Sequence, residues 1–143
     1  MPGTVERPIA AAQVRVALQS IGDLVLARRE GRQMAEQLGF SASEATLVAT
    51  AISELARNIV NYAGQGEIIL RPVSDARRRG INVVAQDEGP GIADTDLALK
   101  VGFSTGGGLG LGLPGVMRIM DEFSISSEPG RRTLVSVTKW LQR

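Results

Sequence analysis

The segment from Ser41 to Tyr62 restricts the possible folds of this chain more than any other. Ser41 and Glu44 form a capping box, in which each side chain accepts a hydrogen bond from a backbone N–H at the start of a helix. After the box, apolar residues recur at helical spacing: Ala45, Val48, Ile52, Leu55, Ile59 and Tyr62. The pattern predicts a long amphipathic helix, whose apolar face needs a second layer to cover it.

Strand patterns lie on both sides of this helix. The other predicted elements are a strand at 13–18, a helix capped by Asp23 and ending at Gly39, strands at 67–73 and 81–86 joined by a turn at 77–80, helices at 94–101 and 113–123, and a hairpin of 124–127 and 133–140 around Pro129-Gly130. Their order predicts an α/β (α+β) two-layer sandwich, a mixed β-sheet with helices on one face. With 143 residues and no internal repeat, residues 1–143 are expected to form a single domain.

Composition excludes several classes of function. The chain has no cysteine and no histidine, which rules out disulfides, thiolate or imidazole metal sites, and a histidine general base. The net charge of +1 and the 3% aromatic content argue against nucleic-acid binding. No long apolar run predicts a membrane span.

Glu54 and Asn58 lie one turn apart on the central helix. At ~100° per residue, their side chains differ by only about 40° around the axis and share a face. That face borders the apolar stripe, where a side chain can reach the edge of a cleft. Such pairs are common on solvated helices, so this one indicates a site only together with the motifs that follow.

Asp87 ends an apolar strand and precedes Glu88-Gly89-Pro90-Gly91. A carboxylate at this place can accept a hydrogen bond from an exocyclic amino group such as that of adenine. The glycines allow the backbone to approach a flat base closely. An ordinary Pro-Gly turn after a strand is the alternative interpretation.

Seven glycines lie between Gly102 and Gly115. Consecutive backbone N–H groups at the start of a helix bind phosphate through hydrogen bonds and the helix dipole. Because glycines are costly in backbone entropy, a phosphate-binding loop is favoured over a loop without a ligand. The G-x-x-x-x-G-K-[ST] phosphate loop does not occur in the sequence.

Together these motifs resemble the GHKL superfamily (gyrase, heat-shock chaperone, histidine kinase, MutL), whose members bind ATP in a Bergerat-type α/β sandwich. Glu54 and Asn58 match its N box, residues 87–91 its first glycine box, and residues 108–111 its second. Further similarity, to the RsbT-type serine kinases of bacterial stress signalling, lies in residues 51–58, 102–105 and 120–123.

The resemblance implies a role for each matched residue. Asn58 would bind Mg²⁺ between the phosphates of ATP, and Glu54 would be the catalytic residue that orients or deprotonates the attacking hydroxyl. Asp87 would bind the amino group of adenine. The other implied nucleotide-binding residues are Gly89 and Gly91 at the base, Gly106, Gly107, Gly108, Leu109, Gly110, Leu111 and Gly112 around the phosphates, and Thr133 near adenine. In the family this threonine usually follows a glycine, whereas here it follows Arg132.

The function that the resemblance implies is that of an ATP- and Mg²⁺-dependent protein serine kinase in the cytoplasm. Its implied partners are a STAS-domain antagonist protein as substrate, a stressosome scaffold, and a PPM-type phosphatase that the released kinase activates by binding. No nucleic acid or membrane is implied. The alternative is a non-catalytic, ATP-binding switch of the anti-sigma type, which sequesters its partners.

The residues themselves agree with a kinase mechanism. Without histidine, a carboxylate has to accept the proton of the hydroxyl, and phosphoryl transfer otherwise needs positioning and charge neutralisation. Lys100 and Arg118 could meet the γ-phosphate or could be solvated surface charges. Arg77 to Arg79 are interpreted as an exposed turn, with partner docking as a second possibility.

Overall fold

Five strands and three helices make up most of the described residues, which are 13–87, 112–128 and 132–141 of the computed structural model. They are β1 (Val14–Leu18), α1 (Ile21–Leu38), α2 (Ala42–Tyr62), β2 (Gly66–Ser74), β3 (Arg79–Asp87), α3 (Gly112–Ile119), β4 (Glu122–Glu128) and β5 (Arg132–Trp140). Their order is the predicted one. The predicted helix at 94–101 and the Pro129-Gly130 turn lie outside the described residues.

The strands form one sheet in the order β1-β2-β3-β5-β4, in which every neighbouring pair is antiparallel. The predicted α/β sandwich is confirmed, but the prediction of a mixed sheet was wrong. The two consecutive helices α1 and α2 return the chain so that β2 enters antiparallel to β1. β4 runs parallel to β3, but β5 folds back between them, so these two strands are not neighbours.

The first helix begins before the predicted cap. Its N-cap is Ser20, and Asp23 lies inside the first turn, so the assignment of Asp23 as the cap was wrong. The carboxylate of Asp23 accepts the backbone N–H of Gln19 at 2.8 Å, and a negative charge in the first turn suits the helix dipole. The predicted end is confirmed, because Gly39 adopts a φ of 109° in the left-handed region.

The second helix has the predicted capping box. Ser41 Oγ accepts the backbone N–H of Glu44 at 3.1 Å, and Glu44 Oε1 accepts the backbone N–H of Ser41 at 3.2 Å. From this fixed start the predicted apolar stripe faces the sheet, and all its members except Tyr62 are buried. The start of the helix therefore determines the direction in which the side chains of Glu54 and Asn58 project from it.

The β2–β3 hairpin turns around Asp75. Asp75 Oδ1 accepts the backbone N–H groups of Arg77 and Arg78 at 2.9 and 2.8 Å. The N–H of Arg77, followed by the guanidinium and the N–H of Arg78, lowers the pKa of Asp75 to about 2. Arg79 already belongs to β3, and its Nη2 donates to the carbonyl of Leu38 at the end of α1 at 2.7 Å. Arg77 to Arg79 are exposed, as predicted, but Arg79 belongs to β3 and bonds to α1.

The third helix ends at Ile119, before the predicted end at Phe123. The backbone N–H of Asp121 donates to the carbonyl of Thr138 at 2.8 Å, so this segment already pairs with β5. Lys139 Nζ donates to the carbonyl of Ile119 at 3.0 Å and satisfies a group that the helix end leaves without a partner. The helix is therefore shortened by contacts with β5, a strand that is distant in the sequence. The local sequence pattern gives no information on these contacts.

The hydrophobic core lies between the helices and one face of the sheet. That face is built from alternate strand residues: Val16, Leu18, Ile68, Leu70, Ile81, Val83, Ala85, Val135 and Val137. On the opposite face, Asn82 accepts from Arg71 at 2.8 Å and donates to Thr138 Oγ1 at 3.0 Å. None of the described helices is both long and apolar enough to cross a membrane.

Gly66→Ala is expected to destabilise the protein by about 1–3 kcal/mol, because the position is already fully packed. A Cβ there would lie 2.4 Å from the carbonyl oxygen of Gln86 and 2.8 Å from Ile59 Cγ2. Urea denaturation, followed by the fluorescence of Trp140, measures the loss, since Trp140 is the single tryptophan of the chain.

Gly22→Ala is the matched control, because a Cβ at that position in α1 would meet only Ser20 Oγ, at 3.7 Å. This substitution should stabilise the protein by about 0.4–1 kcal/mol, because Gly22 lies in the first turn of α1 and alanine has less conformational freedom in the unfolded chain. Equal denaturation midpoints for Gly66→Ala and the wild type would contradict the packing described for Gly66.

Candidate functional site

Glu54 is a buried carboxylate that connects two helices. The residue is 4% exposed, and its Oε1 accepts the backbone N–H of Gly112 at 3.1 Å. Gly112 is the first residue of α3, where backbone N–H groups have no partner within the helix and the dipole favours a negative charge. Its φ of 68° lies in the left-handed region, which favours glycine. Glu54 therefore anchors the start of α3 to α2.

The other oxygen of Glu54 is held by Arg57. Arg57 Nη1 lies 2.6 Å from Glu54 Oε2, with the two side chains 31% and 6% exposed. A buried carboxylate needs such a partner, because desolvation of an unpaired charge is costly. Within the described part of the chain, each oxygen of Glu54 thus has one donor, and the two donors come from different helices.

Asn58 lies one turn after Glu54, and its buried Oδ1 has no hydrogen-bond partner among the described residues. It is the only buried side-chain oxygen or nitrogen of this kind in the part of the chain that the structure describes. An unsatisfied buried acceptor costs about 1–3 kcal/mol, and a ligand that binds Oδ1 would offset this cost. An amide oxygen is a ligand that Mg²⁺ accepts.

The surroundings of Asn58 fit Mg²⁺ held partly by a nucleotide. Among the described residues, no group of three or more acidic side chains could hold a metal ion. Mg²⁺ commonly takes one or two protein ligands and completes its shell with phosphate oxygens and water. Asn58 Oδ1 could be the protein ligand in such a site.

Asp87 is buried at the end of β3, between two other strands. Its register partners are Gly66 on β2 and Thr133 on β5. By the alternation of the strands, Asp87 and Thr133 project from the face that the helices cover, and they are 9% and 7% exposed. Thr133 Oγ1 lies 2.9 Å from the hydroxyl of Ser127. The predicted adenine ligand and the predicted late threonine therefore lie side by side.

Gly66 brings the end of α2 close to Asp87. A Cβ built on Gly66 would lie 2.8 Å from Ile59 Cγ2 and 3.0 Å from Asp87 Cβ, so both residues pack against this glycine. Ile59 directly follows Asn58. Ile59 and Asp87 thus meet at one corner of the fold, and the segment of α2 that carries the predicted metal ligand passes close to it.

An open cavity of about 360 Å³ reaches this corner from the sheet edge. Its lining includes Asp87, Gly66 and Gln65 but none of Glu54, Asn58 and Thr133. Of the predicted site residues that the structure describes, Asp87 alone lines this cavity. The predicted site residues Gly89, Gly91, Gly106, Gly107, Gly108, Leu109, Gly110 and Leu111 lie outside the described residues, as does Lys100.

Arg118 is exposed in the last turn of α3. At 1.5 Å per residue it lies about 9 Å along the axis from Gly112, which contacts Glu54. This separation favours the interpretation of Arg118 as a solvated charge over a contact with the γ-phosphate. Of the residues implied to act on nucleotide or metal, the structure brings together Glu54, Asn58 and Gly112 on one side and Asp87 and Thr133 on the other.

Arg57 is the residue that the motif-based prediction missed. Its spacing of three residues from Glu54 could have indicated an ion pair on the helix surface. The sequence does not show, however, that Glu54 would be buried, and only a buried carboxylate makes such a pair important.

Comparison with known proteins identifies the family of this chain. The sequence profile of the family described as "Histidine kinase-, DNA gyrase B-, and HSP90-like ATPase" matches residues 43–143. The chain is 48% identical over 127 residues to "Serine/threonine-protein kinase RsbT" of Bacillus subtilis (strain 168), covering 89% of this chain and 96% of that protein.

More distant relatives are two proteins named "Anti-sigma F factor". The one from Caldanaerobacter subterraneus subsp. tengcongensis is 32% identical and covers 76% of this chain and 79% of its own length. The one from Thermoanaerobacter sp. (strain X514) is 31% identical, with 75% and 78% covered. These matches confirm the resemblance to the GHKL superfamily and to its RsbT-type branch. The chain belongs to the family of histidine kinase-, DNA gyrase B- and HSP90-like ATPases.

Proposed function

We propose that this chain is an ATP-dependent protein serine kinase whose substrate is a serine of a STAS-domain antagonist protein. The observation that carries the proposal is the pair formed by Glu54 and Asn58. One is a buried carboxylate fixed by two donors, and the other, one helical turn away, is a buried amide oxygen that has no partner in the described part of the chain. The similarity to a protein named as a serine/threonine kinase supports the same activity.

Asn58 would hold Mg²⁺ through Oδ1, the unsatisfied acceptor of the site. Bound there, the ion would neutralise charge on the phosphates of ATP. Asp87 would accept a hydrogen bond from the amino group of adenine, with Thr133 beside it on the neighbouring strand. Gly112 and the glycines before it would surround the phosphates. Each of these roles extends the family resemblance to this chain.

Glu54 would act on the serine hydroxyl. As the hydroxyl oxygen forms its bond to the γ-phosphorus, the bond to the β,γ-bridging oxygen breaks and ADP leaves. The proton of the hydroxyl passes to the carboxylate of Glu54, since the chain has no histidine to receive it. A carboxylate has about four acceptor positions, and among the described residues Gly112 and Arg57 occupy two of them, which leaves positions for the hydroxyl.

The proposed setting is a partner-switching module in the cytoplasm. In this setting a stressosome scaffold would hold the kinase, phosphorylation of the antagonist would release it, and the released kinase would activate a PPM-type phosphatase by binding. The name and high coverage of the RsbT relative support this setting.

The anti-sigma F factor relatives favour a second candidate, a non-catalytic switch that binds ATP as a conformational ligand. Glu54 discriminates only weakly between the two, because a pure binding protein needs no acid there for catalysis but could use the bond from Glu54 to Gly112. To test the proposal, the protein is incubated with Mg·ATP and STAS-domain proteins from neighbouring genes, and phosphorylated residues are mapped by mass spectrometry. A phosphoserine on one of them is expected. ATP-dependent binding of an antagonist without phosphorylation would favour the switch instead.

Asp87→Asn is expected to lower ATP affinity by about 5- to 150-fold, the equivalent of about 1–3 kcal/mol for mismatched buried polar groups. The amide would present its donor to the amino group of adenine, whereas the carbonyl of guanine could accept it, so GTP affinity should fall less. Isothermal titration calorimetry with both nucleotides measures the difference.

Asp75→Asn is the control, since Asp75 is an exposed carboxylate in the hairpin at the opposite end of β3. It should leave both affinities unchanged. Unaltered ATP affinity in Asp87→Asn would remove Asp87 from the adenine pocket.

A further inference from the structure

The carboxylate of Glu54 is held at two points. Gly112 N–H donates to Oε1 at 3.1 Å, and Arg57 Nη1 donates to Oε2 at 2.6 Å. A single contact would leave the carboxylate free to rotate about the bond that joins it to the side chain. Two donors from two helices fix both its position and its plane.

Arg57 and Asn58 flank Glu54 on α2. Around the helix axis, Arg57 lies about 60° to one side of Glu54 and Asn58 about 40° to the other. The proposed base therefore lies between a cation and the proposed metal ligand. The side chain of Arg57 is 31% exposed, whereas that of Glu54 is 6% exposed. The guanidinium therefore lies on the solvent side of the carboxylate.

The pair differs from the other arginine–carboxylate pairs of the described residues in its burial. The pair of Arg78 and Asp75 has the same i,i+3 spacing and a distance of 2.8 Å, but its side chains are 45% and 42% exposed. Exposed pairs are screened by water and fix little. In the pair of Arg57 and Glu54 the carboxylate is shielded from water. Its charge-assisted hydrogen bond can therefore fix the orientation of the carboxylate.

We propose that Arg57 is a positioning residue for phosphoryl transfer: with the N–H of Gly112 it holds the Glu54 carboxylate in the orientation that receives the hydroxyl proton. This inference rests on the proposed function. A guanidinium suits the task because its planar fork fixes the direction of the bond. Arg57 acts through Glu54, so its loss changes the rate of transfer and not the affinity for nucleotide.

The test compares Arg57→Ala and Arg57→Lys with the wild type, and uses Arg78→Ala as the matched control. Single-turnover transfer to the antagonist, Mg·ATP affinity and the amide proton shift of Gly112 are measured for each protein. Arg57→Ala is expected to slow transfer by about 10- to 100-fold, because a displacement of about 1 Å in a reacting group has effects of this size. Affinity should stay within about threefold, and the Gly112 amide should shift even without substrate.

Arg57→Lys should recover part of the rate and move the Gly112 amide less, since the charge is kept and the fork is lost. Arg78→Ala should change neither. An unchanged rate in Arg57→Ala overturns the inference. A slower rate with an unmoved Gly112 amide also overturns it, because Arg57 would then act directly on the substrate. If the wild type transfers no phosphate to any antagonist, the proposed function fails and the inference falls with it.

Discussion

Glu54→Gln is expected to slow phosphoryl transfer to the antagonist serine by about 10²- to 10⁴-fold, the usual contribution of a positioned general base. Glutamine has nearly the same shape, and its amide oxygen can still accept the N–H of Gly112, so the junction of α2 and α3 should persist. It cannot take up the hydroxyl proton. Mg·ATP affinity, measured by calorimetry, should therefore remain within about threefold of that of the wild type.

Glu36→Gln provides the control for this substitution. The side chain of Glu36 is 48% exposed, and its ion pair with Arg32 is long, at 3.9 Å. The same chemical change there should therefore affect neither the transfer rate nor the affinity. Transfer at the normal rate by Glu54→Gln would contradict the catalytic role. Loss of ATP binding in that variant would move Glu54 from catalysis to nucleotide binding.

Asn58→Ala is expected to abolish most of the Mg²⁺-dependent part of ATP affinity. Loss of an outer-shell partner of a metal ligand already costs about 10- to 100-fold in affinity, so loss of the ligand itself should cost at least as much. ATP binding is measured with and without Mg²⁺: the ion should strengthen binding to the wild type strongly and to the variant only weakly. Asn58→Asp, which keeps an oxygen, should retain part of the Mg²⁺ effect.

Asn58→Ala is not expected to lower the stability of the protein without ligand. Because Asn58 Oδ1 is buried and has no partner among the residues that the structure describes, its removal abolishes an unsatisfied acceptor, which offsets the loss of packing. Thermal unfolding of unliganded Asn58→Ala should therefore begin no earlier than that of the wild type. A variant that unfolds earlier but still responds to Mg²⁺ as the wild type does would show a structural role for Asn58.

Much of the fold could be predicted from local patterns. The capping box of Ser41 and Glu44 fixes the start of α2, because both hydrogen bonds lie within one turn. The left-handed Gly39 likewise ends α1. The errors occurred where distant segments decide the structure. β5 inserts between β3 and β4 and makes the sheet antiparallel, and the bonds from Asp121 to β5 end α3 early.

The candidate site shows the same division. The common face of Glu54 and Asn58 follows from the helical period alone, whereas their assignment to a site came from the motifs that follow them and from the family resemblance. That Glu54 would be buried and bonded to Gly112, 58 positions later in the chain, depends on how α3 packs against α2. The role inferred for Arg57 depends on that burial and could not be predicted from spacing. The packing of Gly66 between Ile59 and Asp87 likewise appears only once β2, β3 and α2 are assembled.

The most direct test of the proposed kinase is single-turnover transfer from γ-labelled ATP, with the protein in excess over the nucleotide and a STAS-domain antagonist present. The account predicts that the label appears on one serine of the antagonist at a rate that Glu54→Gln lowers by at least about 10²-fold. An antagonist that binds in the presence of Mg·ATP but acquires no label, or equal rates for the wild type and Glu54→Gln, would contradict it.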